Sequence, residues 1–407
     1  MQPSTAGHKR RRALAVAIAA VVLFYAGAFW QQRQPLFAGA SDFSSLYAAG
    51  RMVISGQGSR VYDQDAQRQA QAEFIHNLSY RQGPLPFMRA PFELLLLAPL
   101  AALTYAHAIV AWYAINVGLL LVVAFILAGE AEFLKTRLPL LLIVTALFDP
   151  VRTALIQGQD SILLLLLLSL VYVNLARRRE ALAGCLITLA AFKPQFVLPL
   201  LLVLLVCRRW KVLGAALGTG LGLAVVSAGL VGWRAVFRYP QALLEFSRMP
   251  PSIAGVYPKM MPNVRGFAHS VLADHTSAAT LQLAVGIVSA LLLILLVRAC
   301  LRASRPLGAV GFSLLVLVTL LVGYHVYPHD LTLLVLPLWL IPACMAGAAA
   351  GSARVGIVIS AFAIYFIPLL GLAAPVLFLA MLGLATSLLV GMEAQRGDET
   401  RPAATVS

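Results

Sequence analysis

Lys9-Arg10-Arg11-Arg12 runs directly into ALAVAIAAVVLFYAGAFW, residues 13–30, and then into Gln31-Gln32-Arg33-Gln34. At about 1.5 Å per residue, the stretch from Ala13 to Trp30 is long enough to cross a bilayer core. No small-residue cleavage site stands out after it, so it reads as a retained signal anchor and not as a cleaved signal peptide. The basic run before it puts the amino terminus inside by the positive-inside rule. The rest of the chain is read from that orientation.

Outward from this anchor the pattern repeats. Of 407 residues 60% are hydrophobic and 12% charged, with a mean hydropathy of +0.86. That is more apolar surface than a soluble domain of this length buries, and it predicts an all-α polytopic membrane protein. The formal net charge of +15 would suggest nucleic acid in a soluble chain. Here the cations sit at the ends of apolar runs, at Arg177-Arg178-Arg179, Arg208-Arg209, Arg298, Arg302 and Arg354, where they act as cytoplasmic anchors, and no nucleic-acid partner is expected. Cys185, Cys207, Cys300 and Cys344 lie in or beside apolar runs and are expected as free thiols.

The domain plan is a cytoplasmic basic tail (1–12), one transmembrane domain (13–392) and a cytoplasmic tail (393–407), disordered from Asp398. Outer loops are expected at about 31–90 and 233–280, with Gln64 to Phe74 as a helix on the membrane surface. Crossings are expected near 160–176, 182–192, 195–207, 211–232, 281–302, 306–323, 326–345, 354–370 and 373–392. The region from Phe92 to Phe148 holds three apolar stretches where the charges require an even number of crossings, so one of them is re-entrant or tilted. The total is about twelve crossings. Trp112, Trp210 and Trp233 read as interface anchors.

This topology gathers the unusual polar residues on the outer side. Asp42, Arg89, Arg152, Gln159-Asp160, Lys193, Asn263 with Arg265, His325 and His329-Asp330 all fall at outer helix ends or in outer loops. A carboxylate where the chain leaves the bilayer can act as a base, and cations nearby can hold a leaving phosphate. The chain has no G-x-x-x-x-G-K-[ST], H-E-x-x-H or C-x-x-C. It also has no G-x-G-x-x-G following a strand.

Ser41-Asp42-Phe43, Tyr47-Ala48-Ala49-Gly50, Val61-Tyr62-Asp63, Pro91-Phe92, Gly158-Gln159-Asp160-Ser161, Phe192-Lys193-Pro194-Gln195, Met261-Pro262-Asn263 with Arg265-Gly266, and His329-Asp330-Leu331 stand in this order at ordinary spacing. The series resembles the DUF2029 proteins of glycosyltransferase family 87. The resemblance implies a GT-C-type helical bundle of about twelve transmembrane segments whose first outer loop carries the catalytic acid. It also implies a polyprenyl-phosphate sugar as donor substrate, used at the outer face of the bacterial cytoplasmic (inner) membrane. Ala90 departs from the Pro-Pro-Phe run that many members carry.

The roles assigned on this basis are Asp42 as base, His329-Asp330 as proton relay or acceptor contact, and Lys193 with Arg265 on the phosphate. Arg89, Arg152, Gln159, Asp160, Asn263 and His325 are further substrate contacts. Each has a plainer alternative. Asp42, Asp160 and Asp330 could be helix caps, Lys193 a snorkelling lysine and Arg265 a solvated one. Asp63 with Asp65 lacks the further ligands a metal needs, so neither metal nor cofactor is expected. The expected partners are the lipid-linked donor, a glycan or glycolipid acceptor and membrane lipid. An O-antigen polymerase or ligase, or a transporter, would be the alternative activities; a transporter predicts facing ionisable groups at mid-membrane.

Overall fold

The computed structural model describes residues 5–75, 85–249, 256–303, 307–346 and 351–399, and among them are seventeen α-helices and no strand. In lipid a chain must satisfy its own backbone hydrogen bonds, and runs of Leu, Val and Ala do so as helices. α1 (Thr5–Phe37) contains the expected anchor and continues past Trp30, so the first loop begins later than the polar residues at 31–34 suggest. α2 (Phe43–Ile54) packs across α4 (Leu94–Ala101).

Between them, α3 (Gln64–Ala72) turns two buried glutamines inward. Gln71 exchanges hydrogen bonds with both backbone groups of Leu85, and Gln67 accepts from the Phe87 N–H at 2.7 Å. α3, a helix within the stretch 64–74 expected to be helical, is therefore a clamp on the 85–87 segment.

α5 (Tyr105–Ala128) is of spanning length, and α6 (Glu132–Leu147) with α7 (Asp149–Ile156) forms a pair bent by 60°. The shortest of the apolar stretches between Phe92 and Phe148 is α4, whose eight residues reach only about 12 Å. α8 (Ser161–Ala176), α9 (Glu180–Leu189) and α10 (Pro194–Val206) are short apolar helices. α11 (Trp210–Arg248) is broken at Gly232, φ +80°, so its first part ends where the sequence predicts a crossing to end.

α12 (Val264–Leu272), α13 (Ala278–Arg302) and α14 (Ala309–Val322) follow. A 3₁₀ segment, Pro328–Leu334, leads into α15 (Val335–Ala346), and α16 (Gly351–Leu369) and α17 (Ala374–Glu399) close the bundle.

By length and composition seven helical segments could cross a membrane, or eight with the bent pair; α8, the α9 segment Glu180–Phe192, α10 and α14 are shorter. Their 13–16 residues span about 20–24 Å against a hydrocarbon layer of about 30 Å. α8 and α10 carry basic residues at one end, where Arg177 pairs with Glu130 at 2.7 Å and Arg209 with Glu180 at 2.8 Å. With those ends at a membrane surface, the opposite ends, which carry Asp160 and Lys193, stop several ångströms inside the layer.

Two sequence readings need correction here. Trp112 is fully buried, stacks on Phe43 at 5.8 Å and donates to the Gly158 carbonyl at 2.8 Å, so it is not an interface anchor. Trp210 and Trp233 are exposed. At the carboxyl end α17 runs to Glu399, past the proposed start of the tail, and 400–407 lie outside the described residues, as do 1–4. The four cysteines are thiols, none of them joined in a disulfide.

Candidate active site

Several chain breaks meet at one end of the bundle: residues 41–42 between α1 and α2, the 157–160 turn between α7 and α8, Lys193 between α9 and α10, and 323–330 after α14. With the extended Leu85–Arg89 segment they enclose a cavity of about 410 Å³, within the usual size of small-ligand sites. Its walls include Asp42, Arg89, Gln157, Gln159, Lys193, Gln195, His325, Tyr327, His329 and Asp330.

The 157–160 turn organises this wall. Gly158 has φ +64°, and a Cβ there would stand 2.7 Å from the Phe43 Cβ, so only glycine lets α2 approach. The Asp42 N–H donates to the Gln157 carbonyl at 2.9 Å across this contact. Gln159 then donates from Nε2 to Asp42 Oδ2 at 2.6 Å and accepts from Arg89 Nη2 at 3.1 Å, which fixes the orientation of its amide. Asp42 stands at the N-terminus of α2, yet its side chain makes no capping bond. The helix-cap alternative therefore does not account for this carboxylate.

Asp160 is fully buried and also makes no side-chain cap. It receives Arg89 Nε at 2.6 Å and Lys193 Nζ at 2.6 Å. Two cations in contact offset the cost of burying this carboxylate. Lys193, 2% exposed, also reaches Asp330 Oδ1 at 2.8 Å and Ser161 Oγ at 3.0 Å.

An ammonium has three N–H donors, and all three are taken. The sequence reading that gives Lys193 a phosphate therefore meets a lysine whose donors are committed to protein oxygens, and snorkelling fails as well. Asp330 accepts the Tyr327 N–H at 3.1 Å, so here the cap alternative is realised together with the ion pair. His329 bonds Gln157 Oε1 through Nδ1 at 2.6 Å, with Nε2 3.4 Å from Asp330 Oδ2.

Other expected contacts fall outside the cavity wall. Asn263 accepts from the Gly266 N–H and donates to the Gly323 carbonyl, both at 2.7 Å, so it caps α12 and fastens it to the end of α14. Arg152 is exposed on α7 and pairs with Asp149 at 2.6 Å. Arg265 lies with its guanidinium 3.9 Å above the Tyr324 ring and donates to the Tyr324 carbonyl at 3.1 Å. It therefore stands behind the 325–327 rim. Arg265 has no ion pair among the described residues.

His325 sits between Phe246 and Tyr324 with neither ring nitrogen bonded, and burial together with the nearby Arg265 pushes it down to about 4. It faces the cavity as a neutral imidazole at neutral pH.

Sequence reasoning did not assign roles to Gln157, Tyr327 or Glu93. Glu93 is 3% exposed, neither of its oxygens accepts a hydrogen bond, and Arg89 Nε is 4.0 Å away. An acid inside the apolar run Pro91–Ala101 is the sequence signal that could have found it.

The model of glycosyltransferase family 87 matches residues 87–323, more than half of the chain. The chain belongs to glycosyltransferase family 87. No curated protein and no solved structure matches it. As a family 87 member it is a membrane-embedded glycosyltransferase, which removes the transporter alternative. The matched stretch contains Arg89, Asp160, Lys193 and Arg265, while Asp42 precedes it and His325, His329 and Asp330 follow it. In this family 87 enzyme both flanks fold back onto the matched part to complete one cavity.

Proposed function

We propose that this enzyme moves a hexose, mannose in the first instance, from a polyprenyl-phosphate carrier to a hydroxyl of a glycan or glycolipid. The reaction takes place at the outer face of the bacterial cytoplasmic membrane on a GT-C-type bundle. The observation that carries the reading is the charge count of the cavity wall. Asp160 and Asp330 are neutralised by Arg89 and Lys193, whereas Asp42 has no counter-cation among the described residues.

Asp42 takes the proton of the acceptor hydroxyl as that oxygen attacks the anomeric carbon. The bond to the phosphate oxygen breaks, the configuration inverts, and polyprenyl phosphate departs with the bonding pair. Arg265, the unpaired cation behind the rim, swings from Tyr324 to hold that phosphate. Lys193 maintains the wall in place of binding the donor. This chemistry calls on neither nucleotide nor metal. The family match does not extend to O-antigen ligation, and no observation favours that alternative.

Purified protein in lipid nanodiscs, given radiolabelled polyprenyl-phosphate mannose or the matching nucleotide sugar, is expected to transfer only from the lipid-linked donor. Transfer from the nucleotide sugar alone would defeat the proposal. Sidedness is checked by cysteine labelling. Ser59→Cys is expected to react with an impermeant maleimide on intact cells, and Arg178→Cys only after permeabilisation, because both positions are exposed and lie on opposite ends of the bundle. Ser252, in the second expected outer loop at 233–280, lies outside the described residues. Labelling of Ser59→Cys only from inside would place the Asp42 cavity on the cytoplasmic side.

A further inference from the structure

A second cavity, about 360 Å³, opens between the 58–64 turn and the distal part of α11, beyond Gly232. Its lining is almost wholly polar: Arg60, Asp63, Gln64, Arg238, Glu245 and Ser59, with Tyr62 as its inner wall. Arg238 forms a two-pronged pair with Glu245 at 2.7 Å through each nitrogen, and Arg60 stands 3.4 Å from Asp63. The residues of the Arg238–Glu245 pair are seven apart, beyond the three- or four-residue spacing at which such pairs support a helix. Both pairs are solvent-exposed, where ion pairs add little to stability.

We propose that this cleft binds a distal sugar of an oligosaccharide acceptor, so that the substrate class of the enzyme is a glycan of two or more units and not a single sugar. The inference rests on the Asp42 reading of the first cavity and extends it. Two cations face two carboxylates, so the cleft is neutral overall, which suits an uncharged sugar and disfavours a phosphate. Guanidinium and carboxylate edges side by side, with the Gln64 amide, offer the paired donors and acceptors that neighbouring hydroxyls of a pyranose require.

The two cavities share a wall. The Tyr62 hydroxyl donates to the Arg89 carbonyl at 2.7 Å and its ring stacks on Phe87 at 6.2 Å, and both Arg89 and Phe87 line the Asp42 cavity on their other side. An acceptor whose terminal hydroxyl meets Asp42 can place its preceding sugars over this wall. The cleft is also preformed. Gly58 lies against the Leu230 carbonyl, where a Cβ would stand 2.6 Å away, and the α3 glutamines fix the 85–87 segment.

The test uses the full chain in nanodiscs on an array carrying each monosaccharide beside oligosaccharides of two to six units built from it. Wild type and Asp42→Asn are expected to retain at least one oligosaccharide ten-fold or more better than its monosaccharide. The double variant Arg238→Ala/Glu245→Ala is expected to lose that advantage while its monosaccharide signal and melting temperature stay unchanged. Absence of any oligosaccharide advantage in wild type, or its survival in the double variant, overturns the proposal. Transfer to a short acceptor, measured on the same preparations, separates the two levels. If the double variant transfers normally without the expected array result, the cleft assignment fails and the Asp42 reading stands. If wild type and Asp42→Asn transfer equally, the Asp42 reading itself fails.

Discussion

Replacing Asp42 by Asn is expected to leave the protein folded and membrane-inserted while cutting turnover at least ~100-fold, the range of a positioned general base. The substitution is nearly isosteric. The carboxylate caps no helix and takes part in no ion pair among the described residues, so little stability depends on its charge. Its one side-chain hydrogen bond, from Gln159 Nε2, can pass to the asparagine carbonyl. Donor affinity should be spared, because the base acts on the acceptor hydroxyl, whereas Arg265→Gln should weaken it by about 1.5–3 kcal/mol, the worth of a charge-assisted contact. Turnover and donor binding measured on both variants give the check. Near-normal transfer by a well-folded Asp42→Asn protein would remove this residue from the mechanism.

The second large effect is structural. Lys193→Gln deletes the ammonium that Asp160 and Asp330 share at 2.6 and 2.8 Å, leaving two buried carboxylates with Arg89 as the remaining cation. Removing one partner of a buried ion pair costs about 3–5 kcal/mol, since the other charge stays desolvated. The expected outcome is a protein recovered in low yield, or one melting many degrees below wild type. Adding Asp330→Asn should restore part of the loss, which a double-mutant cycle measures as a coupling between the two positions. A Lys193→Gln variant as stable as wild type and impaired only in donor affinity would return the phosphate role to this lysine.

What was legible in the sequence follows from local physics. Apolar run length and basic flanks announced the helices, because a backbone in lipid has few other ways to satisfy its donors and acceptors. Short runs on either side of Lys193-Pro194 announced the break that places the lysine between α9 and α10. Asp42 could be singled out because an acid directly after a membrane anchor has few structural uses, and the order of the motifs pointed to the family. Glu93 was legible only as an acid inside an apolar run; its burial beside Arg89 is decided by packing.

By itself the sequence determined the class of the molecule, most of its helical segments and the family, since each depends on composition, periodicity or motif order. Tertiary structure alone decided which polar groups neutralise one another. Lys193, Asp160 and Asp330 lie between 33 and 170 residues from one another along the chain, yet share one set of hydrogen bonds, while Arg265 and Asn263, two residues apart, separate into a rim cation and a buried cap. The physical reason is that a hydrogen bond acts over about 3 Å, a distance fixed by how the helices pack and invisible to spacing along the chain. The same packing kept Asp42 as a cavity carboxylate with no ion pair among the described residues.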